Sequence, residues 1–259
     1  VVAMNPPPPP PESGGASATT VTVVDVVVVI TVVAGASVVV ADVNRDLGEQ
    51  VVADIRAMGG EACFHRTDVS KADDVKSMVE RAVKEFGALH VAVNNAAVSP
   101  DTHVIWELDE AELDRVFAVD LKGVALCLKY ETAEMMRQNI KGSIVNIASC
   151  SAFRPQPRNS AYVAAKHGVV GLTKVAALDC APHLIRVNAV APGAIETPML
   201  RAAVDLLGAA DEDLAPVFTL FNRFGKPVEV AQASLWLASD LSSYVTGITL
   251  PVDAGFINR

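Results

Sequence analysis

The chain has 259 residues, about half of them hydrophobic, and a formal net charge of −9. Nucleic acids and anionic membrane surfaces attract basic proteins, so this charge excludes both as partners. The length fits either one large α/β domain or two small domains. The four cysteines have no paired spacing and the five histidines have no metal-ligand spacing. We therefore predict reduced thiols, a cytoplasmic protein and no metal site.

The N-terminal segment is unlike the rest of the chain. Residues 6–11 are consecutive prolines, a stretch rich in glycine and serine follows, and valine dominates residues 21–40. A run of that length is long enough to span a membrane, but Asp25 interrupts it and no basic residue precedes it, which favours a buried strand. We expect residues 1–16 to lie outside the core and residues 17–259 to form one domain.

From residue 36 onward, short apolar strands alternate with amphipathic helices. This alternation predicts βαβ units and therefore a doubly wound parallel sheet covered by helices on both faces. The predicted strands span residues 37–41, 62–66, 89–93, 142–148, 185–190 and 248–252. The predicted helices span residues 45–58, 72–86, 110–136 (as one or two helices), 160–180 and 228–237. Ligands of such sheets bind at the carboxyl ends of the strands, so the polar residues that follow the strands are candidate site residues.

Tyr162 and Lys166 lie four residues apart in the helix predicted for residues 160–180, so they share a face. A lysine ammonium beside a phenol favours the phenolate, which suits the tyrosine to proton transfer. Ser149 ends the preceding strand, where its hydroxyl can bond a substrate oxygen. The alternatives are that Tyr162 and Lys166 lie on a solvated helix face, and that Cys150 and Ser151 are the functional pair.

Several motifs, in the right order, resemble those of the short-chain dehydrogenase/reductase family. The resemblance covers residues 35–255, and each motif is weak alone. The motifs are Asn94-Asn95-Ala96-Ala97, Ser149 thirteen residues before Tyr162, the Tyr162/Lys166 pair, Pro192-Gly193 with Ile195 and Thr197, and Val252-Asp253-Ala254-Gly255.

The resemblance implies a single Rossmann-like domain of three layers, α/β/α, that uses a nicotinamide cofactor. It implies that Tyr162 is the general acid/base, that Ser149 polarises the substrate oxygen, and that Lys166 bonds the nicotinamide ribose. The cofactor-binding residues it implies are Asp42, Asp68, Val69, Asn94, Ala96, Tyr162, Lys166, Pro192, Gly193, Ile195 and Thr197.

Asp42 bears on the choice of cofactor. A carboxylate at the end of the second strand accepts hydrogen bonds from the adenosine ribose hydroxyls and repels a 2′-phosphate, so we expect NAD and not NADP. The alternative is that Asp42 is a helix N-terminal carboxylate for the helix that begins at Arg45. Asp68 has a similar alternative, as a cap of the helix from Ala72.

The chain departs from the family pattern at Asp120, where the family carries asparagine as a fourth active-site residue. Asparagine both donates to and accepts from a water that links the lysine to solvent, whereas an ionised aspartate only accepts. The negative charge would also stabilise the Lys166 ammonium and oppose formation of the Tyr162 phenolate. We expect a shifted pH optimum and retained activity.

A second departure is the absence of the glycine-rich turn that holds the cofactor pyrophosphate, expected near residues 17–24. The first strand would also fall on or beside the proline run, where proline cannot sit inside a central strand. Three explanations compete: a degenerate half-site, an unusual but working loop, or an incorrect sequence before residue 35. We favour the third, because the local residue preferences for strand, helix and turn fit the predicted fold only after residue 35. Peptide mass spectrometry that matched the valine-rich peptides would rule it out.

The segment 199–226 corresponds to the family's substrate lid. It is rich in leucine and alanine and carries Phe218, Phe221 and Phe224, which favours a small apolar alcohol or ketone; Phe153, Trp106 and His103 are further candidates for the pocket wall. For Trp106, core or subunit packing is an alternative of equal weight. Family members commonly form homotetramers, and we expect one here. The contrasting hypothesis is a scaffold or interaction protein that keeps the fold and has lost dinucleotide binding.

Overall fold

One sheet organises the protein. The computed structural model describes residues 2–4, 35–208 and 210–259. The strands of the described part are β1 (Val2–Met4), β2 (Ser37–Asp42), β3 (Glu61–Arg66), β4 (Val91–Asn94), β5 (Ser143–Ile147), β6 (Arg186–Pro192) and β7 (Thr249–Val252). They lie in the order β3-β2-β1-β4-β5-β6-β7. β2 and β3 pair in parallel, as do β4 with β5, β5 with β6 and β6 with β7, which confirms the predicted parallel α/β sheet.

The strand β1 differs from the prediction in place and direction. It lies between β2 and β4 and is antiparallel to both, with Val2 opposite Val40 and Val93. The expectation that residues 1–16 lie outside the core is therefore wrong for Val2–Met4. The described strand ends at Met4, two residues before the prolines begin at Pro6 in the sequence. The expected positions of the glycine-rich turn and the valine-rich residues 21–34 lie outside the described residues.

Helices cover both faces of the sheet. They are α1 (Arg45–Ala57), α2 (Ala72–Phe86), α3 (Glu110–Val116), α4 (Val124–Arg137), α5 (Ser160–Cys180), α6 (Pro198–Leu207), α7 (Asp211–Phe218) and α8 (Pro227–Ala238). The long helix predicted for residues 110–136 is α3 and α4 joined by a π-helical segment, Phe117–Gly123. Among the described helices, none has the length and hydropathy that a membrane span requires.

Two apolar cores hold these layers together. On one face, α2, α4 and α5 pack on the sheet through residues such as Met78, Met135 and Val169. On the other face, α1 and α8 pack through residues such as Ile55 and Leu237. Because both faces are covered, the strand β5 is buried at every position.

All four cysteines are free and buried, as predicted for reduced thiols. Burial raises the pKa of each thiol above its ordinary value. The cysteines are Cys63, Cys127, Cys150 and Cys180.

Candidate active site

Tyr162 and Lys166 share one face of α5, as their spacing predicts. Tyr162 lies in the first turn of the helix and Lys166 one turn later. The Lys166 ammonium lies 5.4 Å from the centroid of the Tyr162 ring. Only 2 % of the Lys166 side chain is exposed. A buried lysine does not fit the alternative of a solvated helix face.

The Lys166 ammonium is held by two oxygens. It donates to the carbonyl of Ile147 at 3.1 Å and forms an ion pair with Asp120 Oδ2 at 3.3 Å. The Asp120 side chain is fully buried, and its Oδ1 accepts the backbone N–H of Val98 at 2.9 Å. Burial raises the pKa of the Asp120 carboxyl, and the Lys166 charge opposes part of that rise. Asp120 thus contacts the Lys166 ammonium directly.

The π-helical segment Phe117–Gly123 explains how Asp120 reaches the lysine. A π-bulge adds a residue to a turn and is frequent at functional sites. Asp120 and Gly123 are the buried residues of this segment, which joins α3 to α4. Gly123 packs against Val69, where an added Cβ would lie 2.8 Å from a methyl carbon.

Ser149 lies at the carboxyl end of β5, two residues beyond Ile147, whose carbonyl accepts Lys166. It is buried, and its Oγ accepts the N–H of Ser151 at 3.1 Å. The Ser149 hydroxyl proton therefore stays available to an oxygen placed beside it. Cys150, part of the alternative pair, is buried, and burial raises its pKa to about 11, so its thiol stays protonated at neutral pH.

Asp42 is the last residue of β2, and Asp68 lies two residues beyond β3, at the same carboxyl end of the sheet. Asp42 is exposed, and its Oδ1 accepts the N–H of Asn44 at 2.8 Å. The N-cap of α1 is Asn44, whose Oδ1 accepts the N–H of Leu47, and the Asp42 carboxylate lies beside this cap, so both of its predicted roles stay predictions. Asp68 accepts from the Ser70 hydroxyl at 2.6 Å, a bond that lowers the Asp68 pKa.

Asn94 ends β4 in the interior. Its amide donates to Glu131 at 3.0 Å and to Asn146 at 2.9 Å, and its Oδ1 is buried without a partner among the described residues. Asn94, Ala96 and Val69 share a narrow recess with Val119. Three predicted cofactor residues thus meet at one place.

The remaining predicted cofactor residues follow β6. Pro192 ends the strand, and Gly193 packs so closely on Asp253 that an added Cβ would lie 2.8 Å from its Cα. Ile195 is buried and pairs with Gly225. Thr197 caps α6, because its Oγ accepts the N–H of Leu200 at 3.2 Å. The Thr197 hydroxyl proton is not used in that contact.

Sequence reasoning missed two buried carboxylates. Asp101 follows Pro100 in what looks like an ordinary turn, yet it caps α5, some 60 residues later in the chain. Glu131 occupies a position of α4 whose neighbours one turn away, Cys127 and Met135, are buried. That periodicity was a usable signal: an acidic residue on the apolar face of a helix predicts a buried carboxylate.

The predicted lid, residues 199–226, contains α6 and α7. Its three phenylalanines were expected to line one pocket, but they lie in different surroundings. Phe224 is buried in a small core with Val204, whereas 68 % of Phe221 is exposed. The Phe218 ring lies 6.1 Å from the ring of Phe256. Trp106, for which core packing was an alternative, is 79 % exposed in this chain.

Comparison with known proteins identifies the family. A family model described as enoyl-(acyl carrier protein) reductase matches residues 30–257. A short-chain dehydrogenase/reductase of Aspergillus oryzae is 48 % identical over 85 % of this chain and 85 % of its own length. The chain belongs to the short-chain dehydrogenase/reductase family, a family of oxidoreductases. The family match begins at residue 30, close to residue 35, after which the strands and helices alternate regularly in the sequence.

Other relatives show the range of reactions nearby. A 2,5-dichloro-2,5-cyclohexadiene-1,4-diol dehydrogenase of Sphingobium indicum is 43 % identical over 86 % of this chain and 87 % of its own length. A cyclohexanol dehydrogenase of an Acinetobacter species is 40 % identical over 87 % and 86 %. The crystal structure of levodione reductase matches with a TM-score of 0.81 at 32 % identity, over 85 % of this chain and 88 % of that one. NAD⁺-bound xylitol dehydrogenase matches with a TM-score of 0.79 at 30 % identity, over 84 % and 88 %.

Proposed function

We propose that this protein is an NAD-dependent oxidoreductase that interconverts a secondary alcohol and a ketone. The observation that carries the proposal is the buried Lys166 ammonium, which lies beside the Tyr162 ring and is fixed by Asp120 and Ile147. A buried cation with these partners stabilises negative charge that develops on the neighbouring phenol oxygen.

Each residue of the site then has a defined task. In alcohol oxidation, the Tyr162 phenolate takes the hydroxyl proton of the substrate; in ketone reduction, the phenol returns it. Ser149 donates its free hydroxyl proton to the same substrate oxygen and fixes its position. Lys166 places a positive charge beside the Tyr162 ring, where it offsets negative charge that develops on the phenol oxygen during the reaction. The bound nicotinamide supplies or accepts the hydride.

The described residues fit a dinucleotide at the strand ends. The Asp42 carboxylate would hold the adenosine ribose, and Asp68 and Val69 would lie against the adenine. Pro192, Ile195 and Thr197 would hold the carboxamide, and Lys166 the nicotinamide ribose.

Asp42 favours NAD over NADP. Its exposed carboxylate is not neutralised by an ion pair among the described contacts, so a 2′-phosphate placed there would meet an uncompensated negative charge.

A small apolar, cyclic secondary alcohol or the corresponding ketone is the proposed substrate class. The names of two relatives point to cyclic alcohols and diols. Phe153 lies four residues beyond Ser149 and is 46 % exposed, and Phe221 of the lid is more exposed still. Apolar side chains that remain exposed near a site are available to cover an apolar ring.

The test has a binding arm and a turnover arm. NADH fluorescence is titrated with the full chain, and oxidation of cyclohexanol and a cyclohexenediol is assayed with NAD and with NADP. Tyr162→Phe should lower kcat by about 10²–10⁴-fold, the range for loss of general acid–base catalysis, without abolishing NADH binding. Turnover by Tyr162→Phe at the wild-type rate would contradict the proposal.

The second candidate is a scaffold that keeps the fold without binding dinucleotide. One observation favours it: residues 17–24 contain no glycine where the pyrophosphate turn is expected. Absence of NADH binding at millimolar concentration would support the scaffold and reject the dehydrogenase.

A further inference from the structure

The first turn of α5 carries Tyr162 but has no cap from its own sequence. Asn159, the residue before the helix, makes no capping bond with its side chain. The N–H groups of Ala161 and Tyr162 are the second and third of the helix, the donors that an N-cap side chain normally satisfies. They need an acceptor from elsewhere in the chain.

Asp101 supplies that acceptor from the loop after β4. Its Oδ1 accepts the Tyr162 N–H at 3.1 Å, and its Oδ2 accepts the Ala161 N–H at 3.3 Å and the Ser160 hydroxyl at 3.0 Å. Asp101 is only 1 % exposed. A carboxylate at a helix N-terminus is also favoured by the helix dipole.

The same loop contacts the other half of the site. The Val98 N–H binds Asp120, which in turn holds Lys166. The Thr102 carbonyl accepts the Arg158 guanidinium at 3.0 Å, just before α5. Residues 98–102 therefore fix the backbone of Tyr162 and the carboxylate of Asp120 relative to each other.

We propose that Asp101 is a positioning residue that holds the start of α5, and with it the Tyr162 phenol, in register with the Asp120–Lys166 pair. The inference rests on the proposed dehydrogenase function. Asp101 bonds the backbone of Tyr162 and takes no part in proton transfer. A displaced phenol loses alignment with the substrate oxygen, whereas Asp42, which would hold the adenosine ribose, lies on another loop.

Asp101→Ala removes all three contacts, and we expect it to lower kcat by roughly 10- to 100-fold, as expected for a misplaced catalytic group. The NADH dissociation constant should change by a smaller factor than kcat, because Asp42 and the loop after β3 are left in place. Asp101→Asn should restore most of the rate, because its amide oxygen still accepts the Tyr162 N–H and its NH₂ can donate to Ser160 Oγ.

Ser143→Ala is the matched control for a purely structural effect. Ser143 is also buried and donates one hydrogen bond, to the Leu237 carbonyl at 2.9 Å, but it begins β5 at the opposite end of that strand from Ser149. Ser143→Ala should lower Tm without lowering kcat. If Asp101→Ala retained the wild-type kcat, or lost no more kcat than Ser143→Ala at the same loss of Tm, the inference would be overturned.

Hydrogen–deuterium exchange gives a reading that needs no turnover. Asp101→Ala should speed exchange of the Ala161 and Tyr162 amides, and Asp101→Asn should protect Tyr162. If the wild-type protein were inactive on every substrate, the proposed dehydrogenase function would be wrong. The exchange rates alone would then test the role of Asp101. Unchanged exchange in residues 160–166 of Asp101→Ala would reject the positioning role.

Discussion

Among single residues, Asp120 gives this site its particular electrostatic character. A buried carboxylate 3.3 Å from a buried ammonium is costly to desolvate, and the two charges offset part of each other's cost. The family pattern places a neutral amide there. The negative charge at residue 120 therefore partly cancels the effect that Lys166 has on the Tyr162 phenol.

Asp120→Asn should shift the kcat–pH profile for alcohol oxidation, because it removes a buried carboxylate 3.3 Å from the Lys166 ammonium. The measurement is the pH–rate profile at saturating alcohol and cofactor. Asp114→Asn, which neutralises an exposed carboxylate on α3, is the control and should leave the profile in place. An unchanged profile for Asp120→Asn would show that this role is wrong.

Asp42→Ala tests the cofactor preference. The variant loses charge-assisted hydrogen bonds to the adenosine ribose and no longer repels a 2′-phosphate. The ratio of kcat/KM for NAD to that for NADP should fall by at least about tenfold, which equals roughly 1.4 kcal/mol. Asp46→Ala removes a charge from the first turn of α1, beyond the strand end, and should keep the ratio. A ratio unaffected by Asp42→Ala would remove the argument for NAD.

Among elements, a buried polar chain joins two strands to two helices. Glu131 of α4 accepts from Asn94 of β4, Asn94 donates to Asn146 of β5, and Asn146 donates to Thr173 of α5 at 3.0 Å. The Glu131 Oε1 is buried and has no hydrogen-bond partner among the described residues. Burial raises the pKa of this carboxyl from 4.5 to about 7, with the Asn94 bond opposing the rise.

This raised pKa fixes the sign of a stability effect. Between pH 4.5 and about 7 the folded protein keeps the Glu131 proton that the unfolded chain releases, so stability falls as pH rises through that window. Glu131→Gln should remove this slope and stabilise the protein at pH 8 by on the order of 2–3 kcal/mol, measured by urea unfolding at several pH values. Glu134→Gln, on the same helix, should keep the slope. A wild-type slope in Glu131→Gln would contradict the burial argument.

The sequence predicts the regular elements well and the irregular ones poorly. The bounds of α2 and α5 agree with the predictions, because apolar periodicity and helix-ending residues act locally. The π-helical segment was missed, since its extra residue leaves the apolar pattern almost intact. The place and direction of β1 were missed as well, because strand pairing is set by the whole sheet.

In the candidate active site, too, the features that depend on local sequence were predicted and the long-range contacts were not. The Tyr162–Lys166 contact follows from helix geometry, and the strand-end position of Ser149 follows from the alternating pattern. The direct Asp120–Lys166 ion pair and the cap from Asp101 both join distant parts of the chain. Local spacing carries no information on which loop reaches the start of α5.

For the whole molecule, the outer surface of α4 and α5 points to self-association. Val175 is 56 % exposed and Leu178 is 75 % exposed, and both lie on the same helix near Met136 of α4. Exposed aliphatic side chains grouped in this way mark interfaces in many proteins. We propose that this surface is an interface between copies of the chain, as the expected homotetramer would require.

Leu178→Arg should break that interface by placing a charge in its apolar centre, and should yield a smaller species by size-exclusion chromatography with light scattering. Leu47→Arg makes the same change at an exposed leucine of α1 and should keep the wild-type mass. If Leu178→Arg eluted with the wild-type mass, the interface would have to lie elsewhere.

The burial of all four cysteines makes the protein suited to site-directed labelling. Their thiols are shielded and stay protonated at neutral pH, so maleimide reagents should leave the folded wild-type chain unmodified. A cysteine introduced by Phe221→Cys on the exposed lid would then carry a fluorophore selectively. The emission of that fluorophore would show whether the predicted lid moves when substrate and cofactor bind.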